Sequence, residues 1–297
     1  MKKLVLLIIV ISLVGCTTPT NNNERFSLIS PFGAPSIAFV ETIKNDEHEI
    51  TLVSGSDHLI SAFVSPSSEY DGIIAPINLG LTLIKNNQTD FRLFAIVTWG
   101  NLYVVANKET YDKENDTIAM FGKDSVVDLM TSYVLDDEIN REFYPSVNDA
   151  LAQLVSGKHQ AALLAEPLVS AALANNEQLD VVLDVQQAYK SKSGFDNYPQ
   201  AALFVKKENY ENNKQQYDQF LHNIANYTQT LKQDKQRLVD DLISVNTDTL
   251  GLPPVEIVSL AYDGLNINIS RAIDVYDEIE ALMKLFDFEI NKDMFLQ

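Results

Sequence analysis

Between residues 70 and 107 the chain reads YDGIIAPINLGLTLIKNNQTDFRLFAIVTWGNLYVVAN, and no other stretch limits its fold as much. Three short apolar runs, ending near Ala75-Pro76, at Val97 and at Ala106, are bounded by Pro, Gly and Asn. Runs so brief and continuous suit strands covered on both faces, as in a parallel sheet packed between helices. The amphipathic segment from Asn78 supplies the helix between the first two runs. In open α/β sheets ligands bind beyond the carboxyl ends of the strands, where Pro76, Asn78, Trp99 and Asn101 fall. The stretch therefore predicts one wall of a small-molecule cleft, followed by passage into a second lobe.

The same alternation runs through most of the chain. Strands are expected at 26–29, 49–53, 117–121, 161–165, 181–185 and 201–205. Pro35, just inside a helix start, follows the turn at Phe32-Gly33-Ala34. Ser56 is the expected N-cap of the next helix, and Gly122-Lys123-Asp124-Ser125 opens another. Val147, Ala150, Leu151, Leu154 and Val155 keep helical spacing, and Gly157 stops that helix. Beyond residue 206 the pattern is helical almost to the end, with a last apolar stripe from Ala272 to Phe286. Asp71 to Pro76 and Gln160 to Pro167 echo one another: each follows a helical segment, runs through small apolar residues and ends in Pro. The echo falls short of a sequence repeat but fits two lobes on one plan.

The first residues stand apart from the fold. Lys2-Lys3, an apolar run to residue 13 and Leu13-Val14-Gly15-Cys16 read as a signal segment over residues 1–15 that ends at the chain's single Cys. An apolar run this short does not span a bilayer, which takes about 20 residues. The four residues ending in Cys16 resemble the bacterial lipobox, which implies an acyl chain on Cys16 and a lipid anchor without a spanning helix. Residues 16–24, polar after the Cys, form the tether. With Cys16 acylated, neither a disulfide nor a Cys-metal site can form.

A net charge of −19 argues against nucleic acid or an anionic bilayer as partner of the folded part. The five arginines are spread along the chain, and only Arg92 lies in residues 70–107, which disfavours a dianionic ligand. His48, His58, His159 and His222 are scattered without metal-ligand spacing, and neither a Gly-rich phosphate loop nor a nucleophile elbow occurs. Neither a catalytic residue, a metal site nor a cofactor is expected. The acidic runs at 136–138 and 240–241 read as solvated faces.

Together the lipobox, the polar tether and two α/β lobes joined by two crossings resemble a solute-binding lipoprotein of a bacterial ABC importer. The motifs PFGAPS at 31–36, the strand at 71–76 and VNDALAQLVSGKHQAALLAEP at 147–167 are similar to the type II periplasmic-binding-protein fold. Within it they resemble binders of sulfonates, taurine, nitrate and thiamine precursors, as does the terminal helix followed by Asp293-Met294-Phe295. Gln160 departs from the Asp usual there. The resemblance implies lobe one at 25–103 plus 206–297, lobe two at 104–205, a helical C-terminal region packed on lobe one, and hinges near 102–106 and 201–205. It also implies a monomer outside the cell membrane, anchored through Cys16, that hands a vitamin precursor or sulfonate-like solute to a permease and its ATPase. The excess of Lys over Arg and the many Asn residues point to a Gram-positive source.

The ligand contacts the resemblance implies are Gly33, Ala34, Pro35, Ser36, Ser54, Ser56, Pro76, Asn78, Trp99, Asn101, Lys123, Ser125, Glu166 and Tyr198. Most lie at strand ends or helix starts, whose N–H groups and dipoles can hold an anionic or carbonyl-bearing ligand. For Trp99 two readings stand open, stacking on a ligand and packing under a loop. Glu166 could face an amine or cap its own helix, and Phe32 and Tyr144 are further aromatic candidates. An adhesin or sensor lipoprotein, and an enzyme on the same fold, are the alternative functions.

Overall fold

The protein is described from a computed structural model that covers residues 25–135 and 139–297. The expected signal segment, Cys16, the tether up to residue 24 and the acidic run at 136–138 lie outside the described residues.

Two sheets organise the chain. It lays down β1 (Ser27–Pro31), β2 (Glu49–Val53), β3 (Gly72–Pro76) and β4 (Phe91–Trp99), then crosses to β5 (Leu102–Asn107). There it adds β6 (Ile118–Met120), β7 (Arg141–Phe143), β8 (Ala161–Ala165) and β9 (Leu179–Asp184). It returns as β10 (Pro199–Lys206) and ends the first sheet with β11 (Ile267–Arg271). The sheet orders are β11-β4-β10-β3-β1-β2 and β7-β6-β8-β5-β9. In the first, β1 to β4 share one direction and β10 and β11 oppose it; in the second only β5 is reversed. This mostly parallel two-sheet α/β architecture is the one expected.

The echo between residues 71–76 and 160–167 has a topological meaning. Strands β3 and β8 hold the same place in their sheets: each pairs parallel with one neighbour, β1 or β6. Each pairs antiparallel with the strand that arrives from the other sheet, β10 or β5.

Continuous apolar runs arise because helices cover both faces. Along β3 and β4, Ile73 and Leu93 face a cluster with Leu59, Phe63 and Leu81, while Ile74 and Phe94 face Tyr217, Phe220 and Ile224. Those last residues sit on the long helix Lys207–Gln233, so the helical C-terminal region does pack on the first sheet. At the C-terminus Leu296 N–H donates to Leu93 O (3.0 Å), tying the end of the chain to β4.

Four details depart from expectation, one of them at Asp241, which is buried rather than on a solvated face and accepts from Lys44 Nζ (2.6 Å) and the Tyr227 hydroxyl (3.2 Å). The expected hinge segments 102–106 and 201–205 are strands β5 and β10, inside the sheets. The crossings are instead Gly100-Asn101 and the segment 194–198. The helix after Pro35 is two short ones, Ala34–Ile37 and Val40–Lys44, because Phe39 (φ −108°, ψ 6°) turns the chain while staying fully buried. The helix Val185–Ser193 carries too little apolar periodicity to be read in advance, whereas β11 interrupts the region expected to be helical, with Leu265, Ile267 and Ile269 alternating with Asn266, Asn268 and Ser270.

On the outer face of the first sheet, Phe26 N–H donates to His48 Nδ1 (3.1 Å) and the His48 ring stacks on Phe26 at 4.8 Å. Burial pushes the His48 pKa below its ordinary value, since the charged ring would lose solvation there. The unfolded ring titrates near 6.5, so between that value and the lower folded one the unfolded chain holds the extra proton. The stability His48 supplies is therefore full above about pH 6.5 and lost as pH falls toward the folded pKa. Denaturant melts between about pH 7.5 and 5 should show a shallower pH slope for His48→Gln than for the wild type. Equal slopes would contradict the assignment.

Candidate functional site

Strand register sets where the site lies. Leu102, at the start of β5, pairs with Ala165 at the carboxyl end of β8. Ala201, near the start of β10, pairs with Pro76 at the carboxyl end of β3. Both crossings therefore stand at the carboxyl ends of the parallel strands, and both sets of strand-end loops face the space beside them.

A cavity of about 510 Å³ occupies that space. Phe32, Gly33 and Ala34, the loop after β1, form one wall; Ala165, Glu166, Pro167 and Leu168, the loop after β8, form the facing wall. Val147 and Asn148, opening the helix Val147–Val155, and Gly251, Leu252 and Pro253 complete it. Gly33 adopts φ +97°, a conformation that favours glycine, and its N–H donates to Leu250 O (3.0 Å). That bond joins the loop after β1 to the one holding Gly251 and Leu252. Phe32 keeps 41% of its surface exposed, an apolar ring left open within a concave site.

Among the described residues Glu166 is the one ionisable residue lining this cavity. Its N–H donates to Asn101 O (3.1 Å), and its own carbonyl accepts from Asn101 Nδ2 (3.4 Å). The carboxylate accepts from Ser170 N–H (3.0 Å) and Ser170 Oγ–H (2.9 Å), so it caps the helix Leu168–Asn175. Burial pushes its pKa above the usual carboxylate value, with the Ser170 bonds opposing that shift. A Cβ added to Gly264 would lie 3.1 Å from Glu166 Cγ, so the segment after the helix Val255–Ala261 closes against the same side chain. That helix also packs on Leu168–Asn175, bridging the two sheets' layers at one edge.

The expected contact residues divide accordingly. Gly33, Ala34 and Glu166 line the cavity together. Pro35 follows in the helix Ala34–Ile37, and Ser36 is buried with its hydroxyl donating to Gly33 O (2.7 Å), so it turns inward. Asn78 lies at the carboxyl end of β3 beside half-buried Pro76, and its Oδ1 is buried without a hydrogen-bond partner within the protein. Asn101 is buried in the first crossing with its Oδ1 likewise unpartnered. Ser54 and Ser56 are exposed beyond β2, Lys123 is exposed, and Ser125 caps the helix Val126–Val134 by accepting from Val127 N–H (3.1 Å). None of these four borders the cavity.

Neither of the two aromatics expected as contacts lines this cavity. Trp99 does not face this cavity; it borders a separate depression of about 820 Å³ with Asn197, Asn266 and Asn268. Its indole N–H donates to Asn268 O (2.8 Å), which fixes the ring against β11. Tyr198 is fully buried, its hydroxyl donating to Gln186 Oε1 (3.1 Å) and its ring packed under Gly100. Trp99→Phe should therefore leave solute binding unchanged and cost about 1 kcal/mol through the lost hydrogen bond. Chemical melts with and without bound solute check both halves; weakened binding would return Trp99 to the site.

Phe32 stood behind Trp99 as a candidate, and Asn148 and residues 251–253 carried no signal of their own as contacts. Asn148 follows a helix start legible from Ser146, whereas 251–253 are brought in only by the tertiary fold. Tyr144 lies away from the cavity, its hydroxyl held by Lys158 (2.8 Å) and His159 Nε2 (2.8 Å). Among the described residues no group of His, Cys, Asp and Glu is placed to hold a metal ion, and no helix is long and apolar enough to cross a membrane.

No protein-family model and no curated protein matches the chain. Solved structures do. An ABC transporter structure from Parabacteroides distasonis aligns with TM-score 0.73 at 19% identity, over 91% of this chain and 94% of that one. The periplasmic aliphatic sulphonate binding protein SsuA of Escherichia coli gives TM-score 0.65 at 14% identity, over 89% and 93%. The ligand-binding component of an ABC-type import system from Staphylococcus aureus, solved with zinc bound, gives 0.64 at 13%, over 92% and 97%. The chain thus has the fold of ABC-importer binding proteins along nearly its whole described length. Likeness at this identity establishes architecture and leaves the ligand to the residues of the cavity.

Proposed function

We propose that the protein is a solute-binding component of an ABC-type importer that captures a small organic molecule between its two sheets and delivers it to a permease and ATPase. The observation that carries this reading is the 510 Å³ cavity at the carboxyl ends of both parallel strand sets, within a fold shared with such binding proteins. Its size falls in the range of small-molecule sites, about 300–1,000 Å³. One lobe would comprise β1 to β4 with everything from β10 onward, and the other β5 to β9. The crossings at Gly100-Asn101 and 194–198 would be the hinge. Gly33, Ala34 and Glu166 are the proposed contacts, joined by Phe32 and Asn148. An acyl chain on Cys16 would hold the molecule outside the membrane, and Cys16→Ser should release it from the membrane fraction.

A thermal-shift screen against cofactor precursors, sulfonates and amino acids tests the function. A true solute at about 100 times its Kd should stabilise the protein by about 2.7 kcal/mol. Stabilisation by no small molecule, but by a polysaccharide or a protein, would replace this reading with that of an adhesin or sensor.

A further inference from the structure

Charge around the cavity is one-sided. Among the described residues, apart from the Glu166 carboxylate, the lining is Phe32, glycines, Ala, Pro, Val, Leu and one Asn, with no Lys, Arg or His. Every arginine is engaged elsewhere: Arg25 with Asp46, Arg92 with Asp293 O, Arg141 with Ser132, Arg237 with Glu41 and Arg271 with Asp218. Nothing lining the cavity brings the cationic fork with which proteins grip oxyanions.

Two helix starts at the cavity are already met by side chains, and the start at Gly33 opens only the short helix Ala34–Ile37. Ser146 Oγ already accepts from Asp149 N–H (3.2 Å) at the start of the helix Val147–Val155. At the start of Leu168–Asn175, Glu166 itself accepts from Ser170 N–H, so the anionic position favoured by that helix dipole holds the protein's own carboxylate. A sulfonate or nitrate entering here would meet a negative charge where it needs a positive one.

Among the described residues the other polar side chain lining the cavity is Asn148, whose amide can accept or donate, and two unpartnered amide oxygens lie in the neighbouring segments. Asn101 Nδ2 donates to Glu166 O, which fixes the amide's orientation and turns its buried Oδ1 away with no donor in the protein. Asn78 Oδ1, at the carboxyl end of β3, is buried and unpartnered as well. Buried acceptors carry a desolvation cost until a donor reaches them. Within the cavity Phe32, Val147, Leu168 and Leu252 leave an apolar surface beside Glu166 and Asn148.

Building on the solute-binding reading, we propose that the cavity takes a small organic nitrogen compound, its protonated nitrogen on Glu166 and its apolar body on Phe32, and rejects sulfonates and nitrate. The cation replaces lost hydration with a charge-assisted hydrogen bond to a carboxylate already held by Ser170, and a further N–H can meet the Asn148 amide oxygen.

Three probes that share one ring separate the possibilities: benzylamine, benzyl alcohol and phenylmethanesulfonate, each titrated into the protein with melting temperature and calorimetric Kd as readouts. Benzylamine should stabilise the wild type, and Glu166→Gln should weaken it by at least tenfold, while phenylmethanesulfonate should give no shift. Glu166→Gln keeps an oxygen for Ser170, so the helix start persists, and its unliganded melt verifies folding. Stabilisation by phenylmethanesulfonate, benzylamine binding that survives Glu166→Gln, or no shift with any of the three overturns the proposal. The wider solute screen decides the underlying reading separately: a neutral or anionic solute found there sinks the nitrogen-ligand inference alone. A screen in which no small molecule binds sinks both.

Discussion

Alanine at position 100 should destabilise the protein by about 3 kcal/mol, at the upper end of the usual cost of overpacking a core. An ideal Cβ on Gly100 would stand 2.3 Å from Tyr198 Cζ and 2.8 Å from Asn197 Oδ1, far inside contact distance. Neither neighbour can easily give way. Tyr198 is fully buried, its hydroxyl bonds Gln186, and its ring packs edge-on to Tyr189 at 5.3 Å. Gln186 in turn accepts from Leu102 N–H (2.8 Å) and donates to Leu102 O (3.0 Å). The Gly100 backbone is held too, its N–H donating to Tyr198 O (2.9 Å) and its carbonyl accepting from Asn266 Nδ2 (2.6 Å). Strain at this point would spread into both crossings, so solute affinity should fall together with stability. Gly157→Ala is the internal control: with φ +75° and nothing within 4 Å, it pays only the left-handed backbone penalty of about 1–2 kcal/mol. Denaturant melts of the two variants compare them directly. A Gly100→Ala cost no larger than that of Gly157→Ala would mean that the two crossings are looser than drawn.

The second large effect concerns binding. Asn148 is exposed, is the second residue of its helix, and borders the cavity opposite Phe32 and Leu252. Asn148→Trp should fill much of the 510 Å³ and raise the Kd of any cavity solute at least a hundredfold. Its unliganded stability should change by no more than about 0.5 kcal/mol, as expected for a surface position. Wild-type affinity in Asn148→Trp would place the solute elsewhere.

Much of this architecture was legible because a strand buried on both faces leaves a continuous apolar run with punctuation at its ends. The ends of β2 and β8 could be read to the residue, and the likeness of β3 and β8 already implied two sheets on one plan. Gly33, Ala34 and Glu166 were legible as cavity-lining positions because each lies in the loop or helix start just beyond such a strand. The hinge positions were not, because β5 and β10 are as apolar as their neighbours and periodicity does not say which sheet a strand joins. Trp99 and Tyr198 misled for a related cause. An aromatic beside Gly in a polar loop suggests an open ring, whereas Gly100 is small here so that Tyr198 can lie beneath it. Phe32 gained its place only when the loop at Gly251 was brought against it: a Cβ on Gly251 would come within 2.8 Å of Phe32 Cβ. That approach joins segments more than two hundred residues apart, and no local pattern records it.

Solute capture between the sheets is tested most directly by calorimetric titration of the solute that most raises the melting temperature, into the wild type and into Asn148→Trp. One site per chain in the wild type and no measurable heat in the variant is the expected result. Equal binding by both proteins would contradict capture in this cavity.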